Sequence, residues 1–153
     1  MLKVNIVAVG SIKEKFYKDA IDEYKKRLSA SCVVNVIEVN EESNQKNLEV
    51  KTQKETERLI SACKGVVVLL DRKGEMVSSE GLSDIIKRTQ NSGFGEMSFV
   101  IGGSNGVSEE LVKSAKHVVS FGKITFPHQL FRVVLLEQIY RAFSILEGKP
   151  YHK

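Results

Sequence analysis

Gly65-Val66-Val67-Val68-Leu69-Leu70-Asp71 and Ser98-Phe99-Val100-Ile101-Gly102-Gly103-Ser104-Asn105-Gly106 are the two stretches on which the fold turns. Each holds a short run of apolar residues without polar alternation, and each stops at a turn. Such runs are what strands look like when both faces of their sheet are covered. Between them, Ser78-Ser79-Glu80 offers side-chain caps for a helix carrying Leu82, Ile85 and Ile86. Strand, helix and strand in that order form a crossover unit whose strands run parallel.

The same alternation extends outward in both directions. Towards the N-terminus, Leu2 to Val9 predicts a strand, and Phe16, Ala20, Tyr24 and Leu28 recur every four residues as the apolar face of a helix. Val33 to Val39 is β-branched and strand-like, Asn40 to Asn47 is polar, and a helix is expected from Leu48 to Cys63. Towards the C-terminus, Ser108 caps a helix through Lys116, and His117 to Phe121 makes a fifth strand. Pro127 fits the first position of a long helix, His128 to Leu146, with Gly148 where a helix C-terminus wants it. The class is therefore α/β, a single domain over residues 1–153 with a mostly parallel sheet flanked by helices.

Composition excludes several functions. The 153 residues are 42% hydrophobic and 27% charged, which is not the make-up of a disordered chain. No apolar run approaches the roughly 18 residues of a membrane span. The opening Met1 to Val9 reads as a first strand and not a secretory leader, so a cytoplasmic protein is expected. Cys32 and Cys63 have no His or Cys at metal spacing, so no metal site and two inert, partly buried thiols are expected. The 23 basic against 19 acidic residues give a charge of +4, too modest to identify a polyanion partner.

The last helix is apolar nearly all round, from Leu130 to Leu146. In so small a domain one side faces the sheet and another faces a second subunit, with Leu136 among the outward positions; a homodimer is expected. Arg132 and Arg141 interrupt this apolar surface, and Arg141 lies four residues after Glu137, at ion-pair spacing.

Ligands of open α/β sheets sit beyond the carboxyl ends of the strands. Three such ends are unusual here: Leu70-Asp71, Gly102 to Gly106, and Phe121-Gly122-Lys123-Ile124-Thr125-Phe126-Pro127-His128. The glycine turn either presents bare backbone to a ligand or is only a tight turn; it lacks the Lys-Ser/Thr of a phosphate loop. His128 is either a helix-start residue or a functional one. The tail Lys149-Pro150-Tyr151-His152-Lys153 lacks an apolar anchor; it is either a frayed end or a cluster that stacks on a base and meets phosphate.

Val100 to Gly106, Thr125-Phe126-Pro127-His128-Gln129, Arg132 to Ala142 and Pro150-Tyr151-His152 resemble the RlmH family of SPOUT-class RNA methyltransferases. Val7-Ala8-Val9-Gly10, Lys73-Gly74 and Ser78-Ser79-Glu80 extend the resemblance over essentially the whole chain. The resemblance implies a C-terminal trefoil knot, a homodimer and methylation at N3 of a pseudouridine in 23S ribosomal RNA, within the large subunit or the ribosome. It also implies S-adenosylmethionine held by Leu70, Gly102, Gly103, Phe121, Gly122, Lys123, Ile124, Thr125 and Phe126, although members often carry a serine where this chain has Gly122. His128, His152 and Arg141 are then the catalytic candidates, and Arg132, Tyr151 and Lys153 the RNA contacts. A flavodoxin-like nucleotide sensor accounts for the glycine turns but not for the tail. A non-catalytic ribosome-assembly protein accounts for charge and dimer but not for a glycine-lined pocket.

Overall fold

Parallel pairing governs the whole sheet in the computed structural model, which describes residues 1–153. The elements in chain order are β1 (Lys3–Val9), α1 (Lys15–Leu28), β2 (Val33–Val39), α2 (Leu48–Ala62) and β3 (Val66–Met76). They continue with α3 (Ser79–Asn91), β4 (Glu96–Ile101), α4 (Glu109–Ser114), β5 (His117–Ser120) and α5 (His128–Leu146). The five strands lie in the order β2-β1-β4-β3-β5, so β4 is inserted between the two halves of the chain that precede it. Its Val100 pairs with Val7 on one side and Leu69 on the other.

Strand residues sort by parity. Val4, Ile6 and Ala8 of β1, Val68 and Leu70 of β3, and Phe99 and Ile101 of β4 join the larger core with residues of α1, α3 and α5. Val7, Leu69 and Val100 point the other way, onto Leu59 of α2 and Leu111 of α4. Both faces are covered, which is why these strands lack polar alternation. Ser78 caps α3 by accepting from the Gly81 N–H, while Asn47 caps α2 by accepting from Glu49 and Val50.

Several expectations change. Leu28 is buried as expected, but Phe16 is exposed and the other fully packed residue of α1 is Ile21. The side chain of Ser108 makes no cap hydrogen bond, and α4 stops at Ser114 because Ala115 is already extended. Pro127 is the N-cap of α5, one residue before the first helical position. Leu136 is fully buried and does not face outward; the half-buried apolar residues of α5 outside both cores are Leu130, Val134 and Ile145. β3 runs past Asp71, and after an irregularity its end rejoins β5, where Glu75 pairs with Val119. Gly74 makes that possible, since a Cβ there would lie 2.7 Å from the Val118 carbonyl carbon. Cys32 is buried and Cys63 half-buried; burial pushes their thiols up to about 12 and about 11, so both are poor nucleophiles.

The main correction concerns Arg132. Expected at an RNA surface, it is 2% exposed and clamps the start of α5 to the sheet. Its guanidinium donates to the carbonyls of Val9 at 3.0 Å and Gly10 at 2.7 Å, and to the Glu38 carboxylate at 2.6 Å. Both terminal nitrogens are engaged and the unpaired Nε is buried, so no donor of this cation reaches a phosphate in solvent. Arg132→Ala is expected to lower the unfolding free energy by about 3 kcal/mol in urea denaturation, because it leaves two strand-end carbonyls without their donor and Glu38 with only the Ile12 N–H. A denaturation midpoint equal to that of the wild type would show that the clamp carries no stability.

Candidate active site

The carboxyl ends of β3, β4 and β5 enclose a cavity of about 700 Å³ between two loops, Gly102–Gly106 and Phe121–Phe126. Its floor is apolar, formed by Leu70, Ile101 and Val119. One wall is almost all backbone, because the glycine turn closes on itself: the Gly106 N–H donates to the Gly103 carbonyl at 3.0 Å. All residues expected to hold a cofactor line this cavity, as does Asp71 of the strand end singled out with Leu70; Arg72 and Lys73 also line it and were not anticipated as site residues. Their charges directly beyond an apolar strand were the available signal. Arg72 donates to the Thr125 hydroxyl at 2.7 Å and so fastens the second loop to β3. Beneath that loop, Phe131 of α5 packs against Phe121 and Phe126, with ring centres 5.6 and 5.8 Å apart.

His128 lies at the rim of the cavity, exposed, in the first turn of α5. The other catalytic candidates form a second cluster. Arg141 follows thirteen positions later, about 20 Å of helix rise away. It donates to Glu137 at 2.7 Å and meets the His152 ring at 3.2 Å, and the Glu137 hydrogen bond raises its already high basicity. The other nitrogen of His152 is 2.5 Å from Glu80 at the start of α3. Glu80 is held below the ordinary carboxylate range by its own backbone N–H and by His152.

The tail is therefore not frayed, as one alternative had it. Tyr151 donates to Glu137 at 2.8 Å, packs edge-on against Tyr140, and lies 4.8 Å from the Arg141 guanidinium. Burial first, and then the bond to Glu137, push its phenol above its usual range. Expected to offer a face to a base, Tyr151 is instead held between Tyr140 and Arg141 in this chain. Lys153 is exposed. No group of three or more His, Cys, Asp or Glu is placed to hold a metal ion.

Residues 2–152 match the family model described as "Predicted SPOUT methyltransferase". This chain belongs to the SPOUT methyltransferase family. Membership carries the knotted α/β fold and implies a methyl-donor cofactor. Among the relatives of this SPOUT chain are proteins named Ribosomal RNA large subunit methyltransferase H from Clostridium botulinum. That of strain Okra is 48% identical, with 99% of this chain and 100% of the relative covered. The Kyoto protein is also 48% identical and the Eklund 17B protein 47%, over the same shares. The SPOUT assignment sets aside the flavodoxin-like sensor, whose fold carries no such knot.

The docked tail makes a measurable demand on stability. Deleting Tyr151 to Lys153 removes the Glu137 and Arg141 contacts, and the melting midpoint in calorimetry is expected to fall by about 2–4 °C. An unchanged midpoint would return the tail to the frayed alternative.

Proposed function

We propose that this protein transfers a methyl group from S-adenosylmethionine to N3 of a pseudouridine in 23S ribosomal RNA, acting as a cytoplasmic homodimer. The observation that carries this reading is the backbone-walled cavity at the strand ends, with His128 at its rim, in a chain similar over its full length to rRNA methyltransferases. The residues fit the cofactor. A volume of about 700 Å³ lies in the range of small-molecule sites. The apolar floor suits a purine, and the bare carbonyls and N–H groups of the glycine turn suit its polar edges. S-adenosylmethionine, when bound, supplies a methyl group already activated on a sulfonium.

The chain is left with orientation and proton removal. The loop held by Arg72 and Phe131 fixes where a substrate base meets the methyl donor, an effect of positioning. N3 of the base carries a proton that must leave, and His128 is an acceptor at the rim. His152 becomes the alternative acceptor once a substrate displaces Arg141 from its ring, with Arg141 then placed to stabilise an anion, and Lys153 is free to contact phosphate. Within one chain these groups lie too far along α5 from His128 to share a substrate with it. A site using both clusters takes His128 from one subunit and Arg141 with His152 from the other. Leu130, Val134 and Ile145 form the apolar stripe that such a pairing of α5 helices would cover.

Labelled methyl transfer to ribosomes, followed by mass mapping of the 23S RNA, tests the reaction; absence of transfer by wild-type protein would refute it. Val134→Glu is expected to yield monomer in sedimentation and to lower transfer about tenfold or more. A monomeric wild type at micromolar concentration would overturn the composite site.

A further inference from the structure

Two buried polar residues of α2 have no part in the chemistry described above. Glu55 is 2% exposed and Thr56 is 0% exposed. A buried carboxylate or hydroxyl is costly unless it is hydrogen-bonded, so each must be held by what it binds. Both lie against the glycine turn that walls the cavity.

Thr56 takes the far end of that segment. Its hydroxyl accepts from the Ser108 N–H at 2.9 Å. Glu55 takes the near end. A Cβ built on Gly103 would sit 2.7 Å from Glu55 Oε1, so the carboxylate occupies the space a side chain would need. Gly103 is a glycine for this reason as well as for the ligand side of the loop. The other oxygen, Oε2, accepts from the Glu42 N–H at 3.0 Å, which keeps the carboxylate from swinging away. Arg58, one turn further along α2, donates to the Asn40 carbonyl at 2.9 Å and to the Glu42 carboxylate at 2.5 Å. The segment before α2 is thereby fastened behind Glu55. Neither Glu55 nor Thr56 reaches the cavity, yet the loop between their contacts forms one wall of it.

We infer that Glu55 and Thr56 are positioning residues: from behind the sheet's strand ends Thr56 ties the far foot of the Gly102–Ser108 segment by a hydrogen bond and Glu55 backs its near foot by filling the space beside Gly103, and together they set the shape of the cofactor wall. The inference rests on the cavity's being the S-adenosylmethionine site only for its effect on affinity; the hold on the loop stands independently. Thr56→Val keeps the volume and removes the acceptor, and Glu55→Ala empties the space behind Gly103. Thr56→Ser keeps the hydroxyl and serves as the rescue.

Amide hydrogen exchange in the ligand-free protein reads the loop, and calorimetry with S-adenosylmethionine reads the wall. The informative amide is Gly106, which is bonded to Gly103 and not to α2. Thr56→Val and Glu55→Ala are expected to speed its exchange about tenfold while β1 and β4 amides hold their protection. Affinity for S-adenosylmethionine should weaken about tenfold, and Thr56→Ser should keep both values within about twofold of wild type. Unchanged Gly106 exchange in folded variants overturns the inference. So does exchange that rises equally in β1 and β4, which would make the two residues general supports of the fold. Wild-type protein that fails to bind S-adenosylmethionine would overturn the reading of the cavity, while the exchange data alone would still decide the positioning.

Discussion

The guanidinium of Arg132 is the point at which the helical layer and the sheet are locked together. Strand-end carbonyls are acceptors that their own ladder leaves unpaired, and Val9 and Gly10 sit where β1 runs out. A fixed fork of donors from α5 satisfies both and reaches Glu38 on β2 as well. The first turn of α5 is thereby held beside the carboxyl ends of the strands, with His128 one turn before Arg132. Neighbouring ties act in the same place: the Lys13 N–H donates to Gln129 at 3.1 Å and the Ile12 N–H to Glu38 at 3.1 Å. The cost of burying a cation here is offset by charge-assisted hydrogen bonds and by the specific angle they impose.

That angle also brings His128 to the rim of the cavity. The two loops around the cavity are short: the glycine turn is fastened from behind by α2, and the second loop by Arg72 and the Phe131 ring, which themselves line the cavity. Side chains contribute little of the glycine wall, which presents backbone groups whose positions depend on what packs behind them. The tail cluster shows the same economy on another face. Glu137 accepts from Gln138, Arg141 and Tyr151, so one carboxylate organises the C-terminal end of the chain.

Element boundaries were largely legible because buried parallel strands and capped helices leave local marks. Val66 to Leu70 and Phe99 to Ile101 could hardly be anything but strands, and Ser78 announced α3. The errors arose where a residue's environment is supplied by something distant in sequence. Leu136 and Val134 look alike on a helix that is apolar all round, and only the packing of α1 and α3 against α5 tells the buried one from the half-buried one. Arg132 looked like a surface cation because its partners lie more than ninety residues earlier. Tyr151 looked free because its hydrogen-bond partner is on the preceding helix, fourteen residues back.

Periodicity, caps and strand-end glycines in the sequence by themselves determined an α/β domain, its run of strands and helices, and the three chain segments that meet at the cavity. Those features follow from local sterics and from which residues must leave water, and neither requires knowing the neighbours. Tertiary structure alone decided the strand order, with β4 inserted between β1 and β3, since a parallel crossover permits either edge. It also decided that Arg132 braces the fold, that His128 and Arg141 occupy separate clusters, and that Glu55 and Thr56 stand behind the glycine turn. Hydrogen bonds and ion pairs are short-ranged, so a side chain's role is settled by what folding brings within about 3 Å of it, and sequence spacing does not encode that distance.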